Sequence, residues 1–232
     1  MSPTQKTART AGALYLLSAV GAGAPLLYVP TLIVLGNANA TANNVLTSEM
    51  LFRASIVSEL LGAVVFLFMV RALYRLLHGV NETHASLMVI LVLVSVPISF
   101  LNVLNEIVAL NLLHAASFLS VFDKPQRDAL AMLFLDLHGD GVSLANIFWG
   151  LWLFPFGALV MRSAFLPRIL GFLLLINGFA LVAVSLTALL LPAYLEVVNR
   201  LAIVPELGEL WTMGWLLIKG VNPRPGDRLQ DA

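Results

Sequence analysis

Six long stretches of apolar residues constrain this sequence more than any other feature. A helix needs about 20 predominantly apolar residues to cross the hydrocarbon core of a bilayer. The stretches that meet this requirement cover residues 11–35, 50–70, 85–110, 141–161, 167–191 and 197–218. We therefore expect an all-α polytopic membrane protein, with six transmembrane helices in one bundle that forms a single domain over residues 1–232.

The composition supports a membrane location and excludes several classes of function. Of the 232 residues, 59% are hydrophobic and only 11% are charged, whereas about 25% of the residues of a soluble domain are charged. The formal net charge is zero, so the chain has no basic surface for nucleic acid. It has no cysteine, which excludes disulfides, thiolate metal sites and cysteine nucleophiles. From the sequence we assign no metal site and no cofactor, and the oligomeric state stays open.

The distribution of Lys and Arg over the predicted segment ends predicts the orientation of the chain, because cytoplasmic loops carry the excess of these residues. One side holds nine of the thirteen, namely Lys6, Arg9, Arg71, Arg75, Arg162, Arg168, Lys219, Arg224 and Arg228. The other side holds the remaining four, namely Arg53, Lys124, Arg127 and Arg200. We therefore expect both termini to be cytoplasmic.

The ionisable residues within the predicted spans concentrate toward the outer side. At a rise of about 1.5 Å per helical residue, Glu59 lies roughly 18 Å from Arg71, near mid-membrane. An ionised side chain that faces lipid is costly, so such groups should face the bundle interior or a wet cavity. We expect Glu106, His138 and Glu209 to line one polar cavity that opens to the outer side. The candidate ligand-binding residues are Glu59, Asn105, Glu106, Asp136, His138, Glu206 and Glu209.

Several of these residues also have a structural interpretation. Glu59 can be a protonated carboxyl bonded to a neighbour, because burial disfavours the charged form and no Lys or Arg is predicted at its depth. Asn102 and Asn105 can form hydrogen bonds between helices. Glu206 can reach toward the outer interface beside a proline kink, whereas for the deeper Glu209 we favour a ligand role.

The segment Asp136-Leu-His138-Gly139-Asp140 has the residue types of a metal site. On a regular α-helix Asp136 and Asp140 share a face, and His138 points about 200° away from Asp136. All three could bind one ion only if the helix were broken, for which Gly139 and Gly141 would be suitable. We favour a solvated helix end, in which His138 keeps the potential to carry a proton or to act as an acid or base.

Several short segments together resemble a known family. They are Arg9–Tyr15, Phe52-Arg53, Gly150–Gly157, Arg162-Ser163, Leu166–Gly171, Gly208-Glu209 and Trp215–Gly220. This pattern resembles the bacterial integral membrane family catalogued as domain of unknown function 4386, and the resemblance covers nearly the whole chain. It implies a multi-pass protein of the bacterial inner (cytoplasmic) membrane with six or so helices. It brings no established activity, substrate or cofactor, so no catalytic residue is carried over from it.

Three functions remain open on the sequence. The leading hypothesis is the binding or transport of a small molecule or cation in the outward cavity, although the internal repeat of many transporters is not visible. An alternative is a membrane-embedded enzyme, in which His138 and a carboxylate such as Asp136 or Glu209 act as acid and base. A third is a non-catalytic membrane partner or sensor, which needs no site and has the lipid bilayer as its surroundings.

Overall fold

The computed structural model describes residues 2–221, and this part of the chain contains α-helices, short 3-10 turns and no β-strand. The helices are α1 (Pro3–Tyr28), α2 (Ala38–Thr47), α3 (Glu49–Leu77), α4 (Glu82–Leu113), α5 (Lys124–Leu151), α6 (Leu153–Arg162), α7 (Arg168–Leu190) and α8 (Leu195–Ile218). Six helical segments are long and apolar enough to cross a membrane, and α5 with α6 forms the fourth of them. The predicted all-α fold, with six helical segments long and apolar enough to span a membrane, is therefore confirmed. Arg224 and Arg228, which the orientation prediction used, lie outside the described residues.

The fourth helical segment begins well before the predicted start at residue 141. Its first residue is Lys124, and a pair of reciprocal hydrogen bonds fixes this start. Asp123 Oδ1 accepts from the backbone N–H of Gln126 at 2.9 Å, and Gln126 Oε1 accepts from the backbone N–H of Asp123 at 3.0 Å. This is a capping box, and Pro125 is well suited to the first turn of a helix. An apolar-run criterion misses the start because residues 124–140 carry several charges.

The structure contains two compact units. The second unit comprises Ser18–Val64 and Pro97–Val142. Its apolar core consists of Val29, Leu32, Val45, Phe52, Ile56, Val103, Ala109, Leu110, Leu112, Ala131 and Leu135. The short helix α2 contributes to this core and starts at a side-chain cap, since Asn37 Oδ1 accepts from the backbone N–H of Ala40 at 3.0 Å.

The first unit is held together by close packing at glycines. It comprises residues 2–17, 65–96 and 143–221. A Cβ atom at Gly150 would lie 2.7 Å from the carbonyl oxygen of Gly178, and one at Gly157 would lie 2.7 Å from that of Gly171. Helix α7 therefore approaches α5 and α6 backbone to backbone, an approach that small residues make possible.

The start of α1 and the end of α8 lie side by side in the first unit. Gln5 Nε2 donates to the carbonyl oxygen of Lys219 at 2.7 Å, and Gln5 Oε1 accepts from the backbone N–H of Val221 at 2.8 Å. Arg9 Nη2 donates to the carbonyl oxygen of Ile218 at 3.2 Å. These bonds satisfy carbonyl groups that a helix end leaves without partners.

Candidate functional site

Three helices of the second unit each bring one ionisable side chain to a common buried position. Helix α3 supplies Glu59, α4 supplies Glu106 and α5 supplies His138, and these residues are 5%, 0% and 6% exposed. One ligand atom from each residue lies within 4.8 Å of the other two. We call these three residues the carboxylate–histidine group.

Small residues near Glu59 bring α3 against α1. A Cβ atom at Gly62 would lie 2.4 Å from a backbone nitrogen of α1. Ser58 Oγ donates to the carbonyl oxygen of Gly21 at 2.8 Å, and Ser18 Oγ donates to that of Gly62 at 3.1 Å. These hydroxyls therefore join the two backbones and do not donate to the carboxyl group of Glu59.

The carboxyl groups of Glu59 and Glu106 face the imidazole without direct hydrogen bonds. His138 Nε2 lies 3.9 Å from Glu59 Oε2 and 3.9 Å from Glu106 Oε1, which is too long for a hydrogen bond. Glu59 Oε2 and both carboxyl oxygens of Glu106 are buried and have no hydrogen-bond partner within residues 2–221. Over the same residues, His138 is the one basic side chain within 4.0 Å of either carboxyl. Buried polar atoms in native proteins are rarely left in this state.

Asn102 holds the other edge of the imidazole. The side-chain Nδ2 of Asn102 donates to the backbone carbonyl oxygen of His138 at 3.0 Å and lies 3.3 Å from His138 Nδ1. The backbone carbonyl oxygen of Asn102 lies 3.5 Å from Nδ1. Asn105 Nδ2 donates to the backbone oxygen and to Oδ1 of Asn102, at 3.0 and 3.2 Å. The prediction of a bond between helices is thus confirmed for Asn102, whereas the bonds made by Asn105 lie within α4.

Helix α5 continues through Gly139 and Gly141, so the interpretation of this segment as a solvated helix end is wrong. The broken helix that one shared ion would need is also not present. Asp136 and Asp140 are exposed, on a different face from the buried His138. Gly141 has another role, because a Cβ atom there would lie 1.9 Å from Asn102 Oδ1. The glycine leaves space for the asparagine beside the histidine.

Glu209 belongs to the first unit and is not part of the carboxylate–histidine group. Tyr15 donates a hydrogen bond from its hydroxyl to Glu209 Oε1, and Asn177 Nδ2 donates to Glu209 Oε2 at 2.8 Å. We call these residues the tyrosine–glutamate group. Glu206 is exposed. Of the seven candidate residues, Glu59, Glu106 and His138 form one group, Glu209 belongs to the other, Asn105 is half-buried beside Asn102, and Asp136 and Glu206 are exposed.

Sequence reasoning missed Tyr15 and Asn177 as neighbours of Glu209. Both lie within long apolar runs, where a tyrosine or an asparagine contributes little to the hydropathy pattern. The available signal was Asn177 itself, since a polar side chain inside an apolar span usually has a partner on another helix. The enzyme hypothesis is also changed in its details, because the carboxyl groups that face His138 are those of Glu59 and Glu106.

A cavity of about 130 Å³ lies beside His138 in the second unit. Its lining consists of Pro25, Leu26, Val29, Pro30, Ile33, Leu135, His138, Gly139 and Val142. His138 is thus the one ionisable residue that touches both this cavity and the two buried carboxyl groups, as far as the described residues show.

The chain was compared with protein families, curated proteins and solved structures. No curated protein and no solved structure matches it. A family model described as "Domain of unknown function (DUF4386)" matches residues 10–220. This match covers most of the chain and includes every residue of the carboxylate–histidine and tyrosine–glutamate groups. The chain therefore belongs to the family described as Domain of unknown function (DUF4386).

Proposed function

We propose that this protein is a multi-pass integral membrane protein that binds a cation in the carboxylate–histidine group. One observation carries the proposal: Glu106 is fully buried, and neither of its carboxyl oxygens has a hydrogen-bond partner among the described residues. A buried polar group without a partner is destabilising by about 1–3 kcal/mol, and more if it is charged. A cation between Glu59, Glu106 and His138 would supply the missing partner and neutralise the carboxylates.

The membrane location rests on the six long apolar helices, and the orientation rests on the distribution of basic residues. Nine of the thirteen Lys and Arg lie on the predicted cytoplasmic side and four on the outer side. The rule counts these basic residues, and Asp and Glu contribute little to it. In this orientation the site is reached from outside, in an inner (cytoplasmic) membrane.

The lack of cysteine makes this orientation directly testable. Val121 is 79% exposed in the predicted outer loop between α4 and α5. Gly79 is exposed in the turn between α3 and α4, on the predicted cytoplasmic side. A membrane-impermeant thiol reagent added to intact cells should label Val121→Cys and should label Gly79→Cys only after lysis. The reverse labelling pattern would contradict the orientation.

Cation binding is tested by thermal unfolding of the detergent-purified full chain after dialysis against a chelator. Na⁺, Mg²⁺, Ca²⁺, Mn²⁺ and Zn²⁺ are then added one at a time. A cation at about 100 times its Kd stabilises the folded state by about 2.7 kcal/mol, which corresponds to a rise in Tm of about 5–10 °C. Glu106→Gln should abolish the rise, and Asp140→Asn, which changes an exposed acid on α5, should retain it. The proposal is wrong if no cation raises the Tm, or if Glu106→Gln responds like the wild type.

A further inference from the structure

We infer that the cation is a divalent transition-metal ion of the zinc class, held by one carboxyl oxygen each of Glu59 and Glu106 and by His138 Nε2. This inference rests on the function proposed above and names the chemical class of the ligand. The donor set points to that class, because Mg²⁺ and Ca²⁺ prefer oxygen ligands alone, whereas imidazole nitrogen suits Zn²⁺, Fe²⁺, Ni²⁺ and Cu²⁺.

The ligand atoms of Glu59, Glu106 and His138 are only slightly farther apart than they would be around a bound metal ion. Zinc binds nitrogen and oxygen at about 2.0–2.2 Å, so two of its ligand atoms in tetrahedral geometry lie about 3.4 Å apart. His138 Nε2 lies 3.9 Å from an oxygen of each carboxyl, and the three ligand atoms lie within 4.8 Å of one another. Rotation of the two flexible Glu side chains can close these gaps without a movement of α3, α4 or α5.

The charge of the site also selects a divalent ion. Two ionised carboxylates and a neutral imidazole carry a charge of −2, and a divalent cation makes the buried assembly neutral. A monovalent cation would leave one net charge in the apolar interior, where the penalty is several kcal/mol per ion. The unpartnered, fully buried oxygens of Glu106 are the independent indication that such a ligand belongs here.

The backbone carbonyl of Asn102 can hold the histidine tautomer that a metal requires. When Nδ1 carries the proton, it faces the backbone carbonyl oxygen of Asn102 at 3.5 Å, and the lone pair of Nε2 points at the carboxyl groups. When Nδ1 is unprotonated, Asn102 Nδ2 faces it at 3.3 Å, and the N–H of Nε2 points at the carboxyl groups. The first state is the metal ligand, since an orienting partner on the far nitrogen is the usual arrangement for metal-bound histidine. The backbone of Asn102 therefore orients the imidazole for a metal without touching the ion, whereas the side-chain Nδ2 of Asn102 favours the other tautomer.

Three protein ligands leave at least one coordination position for another molecule. Structural zinc sites use four protein ligands, whereas sites that bind water or substrate use three. The cavity of about 130 Å³ beside His138 has room for water. Water or a small anionic or neutral donor from this cavity completes the coordination.

The inference is tested with Co²⁺ as an optical probe, because Co²⁺ replaces Zn²⁺ and gives visible absorption bands. After Co²⁺ is added to the metal-free full chain, the bound ion should show the comparatively intense visible d–d bands of four-coordinate Co²⁺. A sulfur charge-transfer band should be missing, since the chain has no cysteine. Zn²⁺ should displace Co²⁺ at concentrations at least about 100-fold lower than Mg²⁺ or Ca²⁺. His138→Gln, which removes the nitrogen ligand, should weaken Co²⁺ binding by at least about 10–100-fold, the loss that removal of even an outer-shell partner of a metal ligand causes.

The control variant is Asp140→Asn, which should bind Co²⁺ like the wild type, and circular dichroism checks that every variant is folded. Glu59→Gln and Glu106→Gln are near-isosteric, so they test the carboxyl ligands separately if His138→Gln does not fold. The inference fails if Ca²⁺ or Mg²⁺ displaces Co²⁺ at concentrations as low as those of Zn²⁺. It also fails if the folded His138→Gln variant binds Co²⁺ with the affinity of the wild type. Either of these results leaves cation binding intact, whereas a wild-type protein that neither binds Co²⁺ nor gains stability with any cation contradicts both proposals.

Discussion

Glu209 and Glu106 are both acidic residues on long apolar helices, and their surroundings differ in the number of hydrogen-bond donors. In the first unit the carboxyl of Glu209 accepts bonds from Tyr15 and Asn177. In the second unit the carboxyl of Glu106 has no donor among the described residues, and its nearest ionisable neighbours are Glu59 and His138. Each carboxyl oxygen of Glu209 thus has a protein donor, although Asn177 Oδ1 is buried without a partner, whereas neither carboxyl oxygen of Glu106 has one among the described residues.

This difference separates a structural role from a ligand role. Neutral donors that already satisfy a carboxylate stabilise the fold without any other molecule. Two carboxyl groups that face one imidazole across 3.9 Å have instead the composition and spacing that a cation would use. Substitutions in the first group should therefore change stability, and substitutions in the second should change ligand binding.

The largest effect on stability is expected for Glu209→Leu. This substitution leaves the Tyr15 hydroxyl and the Asn177 amide without their acceptor, at about 1–3 kcal/mol for each unsatisfied group. The free energy of unfolding should fall by about 2–5 kcal/mol, as measured by denaturant unfolding in detergent. Tyr15→Phe removes one donor and should have a smaller effect, of about 1 kcal/mol. A Glu209→Leu protein as stable as the wild type would show that this group is not structural.

An intermediate effect is expected for Gly141→Ala, and Gly139 provides a matched control on the same helix. A Cβ atom at position 141 would meet Asn102 Oδ1 at 1.9 Å, whereas one at position 139 would meet nothing within 4 Å. Gly141→Ala should therefore destabilise the protein by about 1–3 kcal/mol through overpacking. Gly139→Ala should be neutral or slightly stabilising, because Ala is the better helix former. Equal Tm values for the two variants would contradict the position assigned to Asn102.

Smaller effects are expected for Glu59→Gln and Glu106→Gln in the metal-free protein. Neither substitution removes a hydrogen bond that the described residues form with Glu59 Oε2 or with the carboxyl of Glu106. The Tm after chelation should fall by no more than about 2–4 °C, which is about 1 kcal/mol for a chain of this size. A large loss of stability without metal would instead indicate that the carboxylates have a cationic partner within the protein.

The smallest effect is expected for Asp136→Asn. This side chain is exposed and lies outside the carboxylate–histidine group. The free energy of unfolding of the Asp136→Asn variant should stay within about 0.5 kcal/mol of that of the wild type, and Zn²⁺ should raise the Tm of both proteins equally. If Zn²⁺ does not raise the Tm of Asp136→Asn, the metal ligands lie in the segment 136–140 instead.

The fold was predictable from hydropathy because each span needs only length and apolar composition. The candidate site was predictable in part: Glu59, Glu106 and His138 could be named, since an ionisable residue in such a span is unusual. Their grouping was not predictable, because position along a helix does not determine how the helix is rotated or which neighbour it meets. The hydrogen-bond partners of Glu209, which are Tyr15 and Asn177, were therefore not recognised.

Local signals for two further features were present in the sequence and were underweighted. Asp123 and Gln126 lie at the start of α5 with the spacing of a capping box. This signal would have placed the predicted start at Lys124 instead of residue 141. Gly141 suggested a helix break when considered alone, and only the neighbouring helix shows that it makes room for Asn102. Close approach between helices is a property of two segments and cannot be read from one.

The most direct test of this account is the zinc content of the purified chain after equilibrium dialysis against Zn²⁺, measured by elemental analysis. The account predicts one Zn²⁺ per chain for the wild type and for Glu209→Gln, because the tyrosine–glutamate group has no part in binding. It predicts almost none for the folded double variant Glu59→Gln/Glu106→Gln, which keeps the shape of the site and loses both charged ligands. Equal zinc content in the double variant and the wild type, or a loss of zinc in Glu209→Gln alone, would contradict the division of roles between the two groups.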